Sequence, residues 1–353
     1  MPVPVSLSVE GISKGSFPHF RRKETKEEVG VIARLVDAPP PSLDTAAELV
    51  RSAPAIKFVG AGMSYHAGLF GQLLLGTILH RDAEEFASSE FEFPADRLHR
   101  GRDVPVRRDR RHPPGRRDRA GPRRPGHRAR EHRGHFPDAR RRHGDPPAVR
   151  PLALRGGDQV VHLAARGPEP LVQRLAREPS AAFRTTLEAR DSLLELTSDS
   201  ARTYMASLAH DLVDHDRLRL IGRGGHYVRA LEAALKIKEV AGFDAQAFPG
   251  GEMKHGPLAL AGEGTPAILF YDRDQASRAE LAASELFTRG ATIYTVGPHP
   301  LRTSSLHVRG RDAGPAAPLP QIVPRQLLAY ELAKLRHLDP DRPKNLAKSV
   351  TGL

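Results

Sequence analysis

Residues 217–242, "RLRLIGRGGHYVRALEAALKIKEVAG", contain the pattern that decides the fold. A short apolar run ends at Ile221, glycines follow at positions 222 and 224, and helical periodicity begins directly afterwards. The pattern predicts a buried strand, a tight glycine turn and a helix that Gly242 can cap. Such a strand–turn–helix unit is the building block of a parallel α/β sheet.

The same pattern also occurs in the first part of the chain. Residues 55–76, "AIKFVGAGMSYHAGLFGQLLLG", place Gly60 162 residues before its counterpart Gly222. The chain is therefore predicted to hold two copies of one α/β unit. Downstream of the second copy, "PAILFY" (266–271) and "ATIYTV" (291–296) are predicted strands on either side of the predicted helix "SRAELAASELFTRG" (277–290).

Composition excludes several classes of protein. The chain of 353 residues is long enough for two domains and contains no cysteine, which excludes disulfides, thiolate metal sites and a thiol nucleophile. The N-terminal stretch lacks the basic and apolar regions of a signal peptide, and there is no apolar run of about 18 residues. We therefore expect a cytoplasmic protein without a membrane partner.

The net charge of +12 is concentrated in one segment. Residues 101–150 contain 17 Arg, no Lys and 6 acidic residues, a net +11, so the rest of the chain gives no reason to expect nucleic acid as a partner. The segment also has 8 Pro and no Ser, Thr, Leu or Ile, and such a composition cannot build a buried parallel strand. Residues 100–155 are therefore read as a shifted reading frame or, second, a disordered natural insert; a nucleic-acid arm is the least favoured alternative.

The glycine turns and the helix after the second turn are the candidate binding and catalytic features. Glycines 62, 222 and 224 allow an anion to approach the backbone, although they equally serve tight helix–sheet packing, and neither copy completes a dinucleotide motif. Glu232, Lys236 and Glu239 follow at i, i+4 and i+7 and share one helix face. The alternative is a solvated face with an ordinary Glu–Lys pair.

A turn-rich stretch, "PGGEMKHGP", follows that helix and contains His255. A histidine before Gly-Pro lies outside regular structure and can simply hydrogen-bond its own loop. Carboxylates, a lysine and a histidine that converge on a phosphate pocket are, however, the groups that open a sugar ring and move a proton between adjacent carbons.

Two long motifs resemble one family. "GRGGHYVRALEAALKIKEVAGFDAQAFPGGEMKHGPLAL" (222–260) and "DRPKNLAKSVT" (341–351) resemble the isomerase module of the glutamine–fructose-6-phosphate aminotransferases (glucosamine-6-phosphate synthases), which is built from two SIS (sugar isomerase) domains. "KGSFPHFRRKETKEE" (14–28) is similar to the linker before that module. The resemblance covers residues 11–95 and 190–353.

The resemblance implies an α/β fold of two SIS domains, each a doubly wound parallel sheet flanked by helices. Its expected divisions are a linker-like segment at 1–30, a first SIS domain at 31–185 that is incomplete across 100–155, a second SIS domain at 190–338 and a catalytic tail at 339–353.

The resemblance also implies roles for individual residues. Glu239 would move the proton between C1 and C2, His255 would help to open the sugar ring in the partner subunit of a homodimer, and Lys348 would form a Schiff base with the keto sugar. Glu232 and Lys236 would support them. The substrate-binding positions would be Gly62, Ser64, Gly222, Gly224 and Ala347. No metal or cofactor is expected.

Two departures from the family pattern shape the expected activity. With no cysteine nucleophile and too little length for a glutaminase domain, the chain is not expected to take ammonia from glutamine. We therefore expect a ketose/aldose isomerase or an amino-sugar-phosphate deaminase acting on fructose 6-phosphate or glucosamine 6-phosphate. The hydroxyl-rich phosphate turn expected near residues 105–115 reads "PVRRDRRHPPG" instead. A non-catalytic sugar-phosphate-binding module and an inactive, damaged enzyme are the alternatives.

Overall fold

A computed structural model describes residues 13–37, 42–91, 199–310 and 322–346. The Arg/Pro-rich segment at 100–155, the expected phosphate turn near 105–115, and residues Ala347 and Lys348 lie outside the described residues. In the first half of the chain the elements are α1 (Phe20–Asp37), α2 (Ser42–Ser52), β1 (Lys57–Gly60), α3 (Met63–Leu79) and β2 (Glu84–Ala87).

The second half contains the larger sheet. Its elements are α4 (Asp199–Leu212), β3 (Arg217–Gly222), α5 (Gly225–Ala241), β4 (Asp244–Pro249), β5 (Pro266–Phe270), α6 (Ala276–Phe287), β6 (Thr292–Gly297), β7 (Ser304–Arg309) and α7 (Ile322–Leu335). Two 3-10 turns, Met253–His255 and Pro257–Leu260, lie between β4 and β5.

The larger sheet is parallel and doubly wound, as predicted. Its strand order is β4-β3-β5-β6-β7, so the chain first builds outward from β3 to β4 and then returns to the other side of β3. The direction of building reverses between β3 and β5, where Ile221 pairs with Leu269. This reversal is the topological switch point of the sheet.

Burial separates the central strands from the edges. Every residue of β5 is buried, as is every residue of β3 and β6 after the first, which is typical of parallel strands covered on both faces. The edge strand β4 alternates at its start, with Ala245 buried and Asp244 and Gln246 exposed. This strand was not predicted from the sequence, because a half-covered edge needs few apolar residues and its polar residues resemble those of a loop.

Helix α5 buries two faces. Ala233, Ile237 and Val240 belong to the core of the larger sheet, and Gly242 ends the helix in the left-handed conformation predicted for it, with its N–H bonded to the carbonyl of Lys238. Val228 instead packs against the apolar cluster of the first unit. Helix α5 therefore joins the two units, and its packing against α3 positions the site described below.

The first unit, as far as it is described, is a small parallel pair of strands under α3. Lys57–Gly60 pairs with Glu84–Ala87, and Phe58, Phe70 and Leu74 form the centre of its core. The carboxyl group of Glu85 lies under Gly68 of α3, and burial raises its pKa to about 7.

The N-terminal segment is tied to the root of the C-terminal tail. Asp341 caps α1 by accepting hydrogen bonds from the backbone N–H groups of Phe20 (2.9 Å) and Arg21 (3.0 Å), and its carboxylate lies 3.0 Å from the ammonium of Lys14. Burial opposes the charge of Asp341, but these partners lower its pKa overall. Helix α1 runs through position 30, where we had placed the end of a linker.

None of the helices in the described ranges is long and apolar enough to cross a membrane.

Candidate active site

The two glycine turns have the same backbone geometry. The residue that precedes each helix is a glycine with φ 54° and ψ −122° at Gly62 and φ 51° and ψ −124° at Gly224. A Cβ atom at Gly60 would lie 2.6 Å from the carbonyl carbon of Ser64, and one at Gly222 would overlap the carbonyl oxygen of His226. The predicted repeat is confirmed at these turns, where only glycine lets the helix begin so close to its strand.

A polar cluster lies where α3 packs against α5. His66 Nδ1 donates to Glu232 Oε2 over 2.7 Å, and the second oxygen of Glu232 lies 3.8 Å from Lys236 Nζ. Lys236 Nζ in turn donates to Glu239 Oε2 over 2.8 Å. The three side chains predicted to share a helix face are therefore joined to one histidine of the first unit, and we call these four residues the acid–base cluster.

Burial shows that this is not a solvated face. The exposed fractions of the side chains are 13% for His66, 12% for Glu232 and 11% for Lys236, against 29% for Glu239. Charged groups that leave water to this extent need partners, and each of these has one. The alternative of an ordinary surface pair is thus excluded, and Glu239 is the carboxylate that opens towards solvent.

The sequence analysis missed His66. It lies in the first turn of α3, four residues after Gly62, and its partner Glu232 is 166 positions away. One signal in the sequence could have identified it. When the two copies are aligned, His66 occupies the position of Val228, which packs from α5 against the first unit.

The first glycine turn lies next to the acid–base cluster. A Cβ atom at Gly62 would lie 3.9 Å from Leu235 Cδ2, between Glu232 and Lys236 along the sequence of α5. Ser64 is exposed in the first turn of α3, so its hydroxyl is accessible from solvent. Of the predicted substrate-binding residues, Gly62 and Ser64 are therefore the two on the side of the cluster.

The second glycine turn faces a different part of the molecule. Gly222 lines a cleft at the switch point of the larger sheet, and no residue of the acid–base cluster lines that cleft. Behind the turn, His226 is only 3% exposed and its Nε2 lies 3.0 Å from Asp272 Oδ2. Burial and the nearby Arg229 lower the pKa of His226 to about 4, so its ring is neutral at pH 7 and donates to Asp272.

His255 forms no hydrogen bond or ion pair with the acid–base cluster among the described residues. It is exposed at the end of the 3-10 turn Met253–His255, which the buried Met253 anchors. Its neighbour Lys254 forms an ion pair of 2.7 Å with Glu285 of α6. Among the described residues no group of three His, Asp or Glu side chains is arranged to hold a metal ion.

Comparisons with known proteins agree with this architecture. Residues 211–307 match the model of the SIS domain. Over 394 aligned residues the chain is 30% identical to the isomerizing glutamine–fructose-6-phosphate aminotransferase of Pyrobaculum aerophilum. The alignment covers 98% of this chain and 60% of that protein. The corresponding protein of Acidithiobacillus ferridurans is 42% identical over 143 residues, 38% of this chain and 23% of that protein.

A solved structure supports the fold over nearly the same length. The C-terminal domain of glucosamine-fructose-6-phosphate aminotransferase from Francisella tularensis superposes with a TM-score of 0.64 and 19% identity, covering 94% of this chain and 99% of that one. The chain spans about 60% of the length of the curated relative that it matches from end to end. Residues 211–307 thus match the SIS domain, and the chain is similar over nearly its whole length to part of the isomerizing glutamine–fructose-6-phosphate aminotransferases.

Proposed function

We propose that the chain is a sugar-phosphate isomerase of the ketose/aldose or amino-sugar-phosphate deaminase type, acting on fructose 6-phosphate or glucosamine 6-phosphate. The observation that carries this proposal is the acid–base cluster, in which a partly open carboxylate is held by a buried lysine next to a glycine turn. The relatives bear the name of enzymes that aminate and isomerise fructose 6-phosphate, which supports the choice of substrate.

The reaction needs one base that can reach two adjacent carbons. In the deaminating direction Glu239 removes the proton from C2 of open-chain glucosamine 6-phosphate while the C1 oxygen takes up a proton, which gives an enolamine. Glu239 returns its proton to C1 and the nitrogen loses one proton, which leaves a hydroxymethyl group at C1 and an imine at C2. Water then hydrolyses the imine to fructose 6-phosphate and ammonia. The hydrogen bond from Lys236 orients the carboxylate of Glu239, while Glu232, held by His66, fixes Lys236 from the other side.

The other assigned residues complete the site. Gly62 and Ser64 offer a backbone turn and a hydroxyl to the sugar phosphate near the first turn of α3. Ala347 would border the substrate from the tail. Lys348 would add through its amine to the keto group of the open sugar, with loss of water, and so form the Schiff base of the ketose form. The root of that tail is held at α1 by Asp341.

Turnover by the purified chain tests the proposal directly. Incubation with glucosamine 6-phosphate should release ammonia and fructose 6-phosphate in equal amounts. Glu239→Gln should lower kcat by about 100-fold or more, because a positioned base contributes a factor of that order. Glu90→Gln, an exposed carboxylate outside the cluster, is the matched control and should leave kcat unchanged.

Two outcomes of that experiment would contradict the assignment. Undiminished activity in Glu239→Gln would remove the cluster from the mechanism. Saturable binding of the sugar phosphate without any turnover would instead favour the non-catalytic binding module, which is the second candidate.

The proposed homodimer has a test of its own. If His255 acts in the partner's site, neither Glu239→Gln nor His255→Ala will be active alone, but a mixture of the two should form some sites with both residues intact. Random exchange restores about a quarter of the wild-type sites, since one of the four subunit combinations at each site is complete. No recovery after verified subunit exchange would place His255 in its own subunit's site or outside catalysis.

A further inference from the structure

An open cleft lies at the switch point of the larger sheet, between the ends of β3 and β5. Crevices at this position of a doubly wound sheet are where ligands bind. The polar and glycine residues of its lining are Gly222, Arg223, Gly250, Tyr271, Gln275 and Arg278.

The charge of the cleft is positive. Arg223 and Arg278 both line it, and within the described parts of the chain neither guanidinium forms an ion pair with a carboxylate. The acid next to the lining, Asp272, is already engaged: it accepts a hydrogen bond from His226 over 3.0 Å and another from the backbone N–H of Gln275 over 2.9 Å. The cleft therefore offers two cations with no carboxylate assigned to them.

The position of Arg223 is built into the backbone around it. A Cβ atom at Gly250 would lie 3.2 Å from Arg223 Cγ, and one at Gly251 would lie 3.3 Å from Nη1, so the loop after β4 packs closely against this side chain. The N–H of Gly250 donates to the carbonyl of Gly222 over 2.7 Å and holds the loop there. In the first copy of the repeat the equivalent residue is Ala61, so this arrangement belongs to the second unit alone.

We infer that this cleft binds the dianionic oxygens of a phosphate group, either inorganic phosphate or a small phosphomonoester, at a site separate from the acid–base cluster. A guanidinium is suited to phosphate because its planar donors match the phosphate oxygens. Glu232, the first cluster residue of α5, lies seven residues beyond Gly225, about 10 Å along the helix. The inference does not depend on the proposed function of the cluster.

Isothermal titration of the full chain with inorganic phosphate and, separately, with glucosamine 6-phosphate tests this site. The titrations use the Glu239→Gln background, so that turnover does not interfere. Arg223→Gln, which keeps the Cγ methylene next to Gly250, and Arg278→Ala should each weaken binding by about tenfold or more, the effect of losing one charged hydrogen-bonding partner. Arg289→Ala, at an exposed arginine two residues beyond the other end of α6, is the matched control.

The two ligands distinguish the source of the phosphate group. Arginine-dependent binding of both ligands, or of glucosamine 6-phosphate alone, supports the site; the second result assigns it to a phosphomonoester. Absence of saturable binding of either ligand at millimolar concentration overturns the inference, and so does an equal loss in Arg289→Ala, which would indicate unspecific attraction. Turnover in the wild-type chain without arginine-dependent binding overturns this inference alone and leaves the function of the cluster intact.

Discussion

The two glycine turns of this chain share a backbone and differ in what surrounds them. Gly62 and Gly224 have φ and ψ values within a few degrees of each other, because each helix begins directly behind its strand. The first turn adjoins the acid–base cluster through its helix, whereas the second borders a cleft that contains Arg223. Sterics therefore keep the turn alike in both copies, while a few side chains decide what each can bind.

Three equivalent positions account for most of the difference. The first copy has alanine, serine and histidine at 61, 64 and 66, where the second copy has Arg223, His226 and Val228. Ser64 is exposed and His226 is buried, so the second copy uses this position for packing and the first leaves a hydroxyl open to solvent.

Substitution of the strand-end glycines should have the largest effect and tests whether the turns are sterically equivalent. Gly222→Ala should lower the free energy of unfolding by about 3 kcal/mol or more, because its Cβ would overlap the carbonyl of His226. Gly60→Ala should be similarly destabilising. Gly76→Ala, in an open position of α3, should instead add about 0.5–1 kcal/mol. Urea denaturation measures all three, and a mild Gly222→Ala would show that the helix can retreat from the strand.

The pH dependence of stability should come next and belongs to the second turn. The pKa of His226 is about 4 in the folded chain and near 6.5 when unfolded, so the unfolded state binds the extra proton between these values. The stability that His226 contributes is therefore present above pH 6.5 and is lost as the pH falls towards 4. The free energy of unfolding should change by about 3 kcal/mol over this pH range.

The variant His226→Gln keeps a hydrogen-bond donor for Asp272 and should reduce the pH dependence of the free energy of unfolding between about pH 4 and 6.5. His210→Gln, an exposed histidine on α4, is the control and should not. Glu85 acts in the opposite sense, since its raised pKa lowers stability as the pH rises from 4.5 to 7, but it is present in all the chains compared. An unchanged slope in His226→Gln would mean that this histidine titrates normally in the folded chain.

The smallest expected effect concerns His66, in the helix that follows the first glycine turn. His66→Val makes this position like Val228 and removes the hydrogen bond that holds Glu232, so kcat should fall by about tenfold while KM changes little. His66→Asn, which keeps a donor, should recover part of the activity. Equal kcat values for His66→Val and wild type would limit His66 to packing between the two units.

Local steric patterns in the sequence predicted much of the fold. The strand–glycine–helix unit at 217–242 was recognisable because its glycines, its helical period and the cap at Gly242 are requirements of neighbouring residues on each other. Strand β4 was missed because an edge strand satisfies its pairing on one side and tolerates polar residues such as Asp244 and Gln246.

The candidate site was predicted only in part. The shared face of Glu232, Lys236 and Glu239 follows from helical spacing alone, and the structure confirms that Lys236 bridges the other two. The resemblance also assigned His255, Ala347 and Lys348; the first is exposed, and the other two lie outside the described residues, so their roles stay predictions. The interpretation of residues 101–150 rests on their composition, and these residues also lie outside the described residues, so it stays a prediction too.

By itself, the sequence determined the repeated glycine turns, the parallel α/β class and one charged helix face, because each depends on residues within a few positions of one another. The tertiary structure alone decided that His66 meets Glu232 across 166 positions and that Arg223 lies in a cleft closed by Gly250. Those contacts depend on how α3 packs on α5 and on the reversal of strand order beside β3, and such packing of distant segments leaves no periodic pattern in a single sequence.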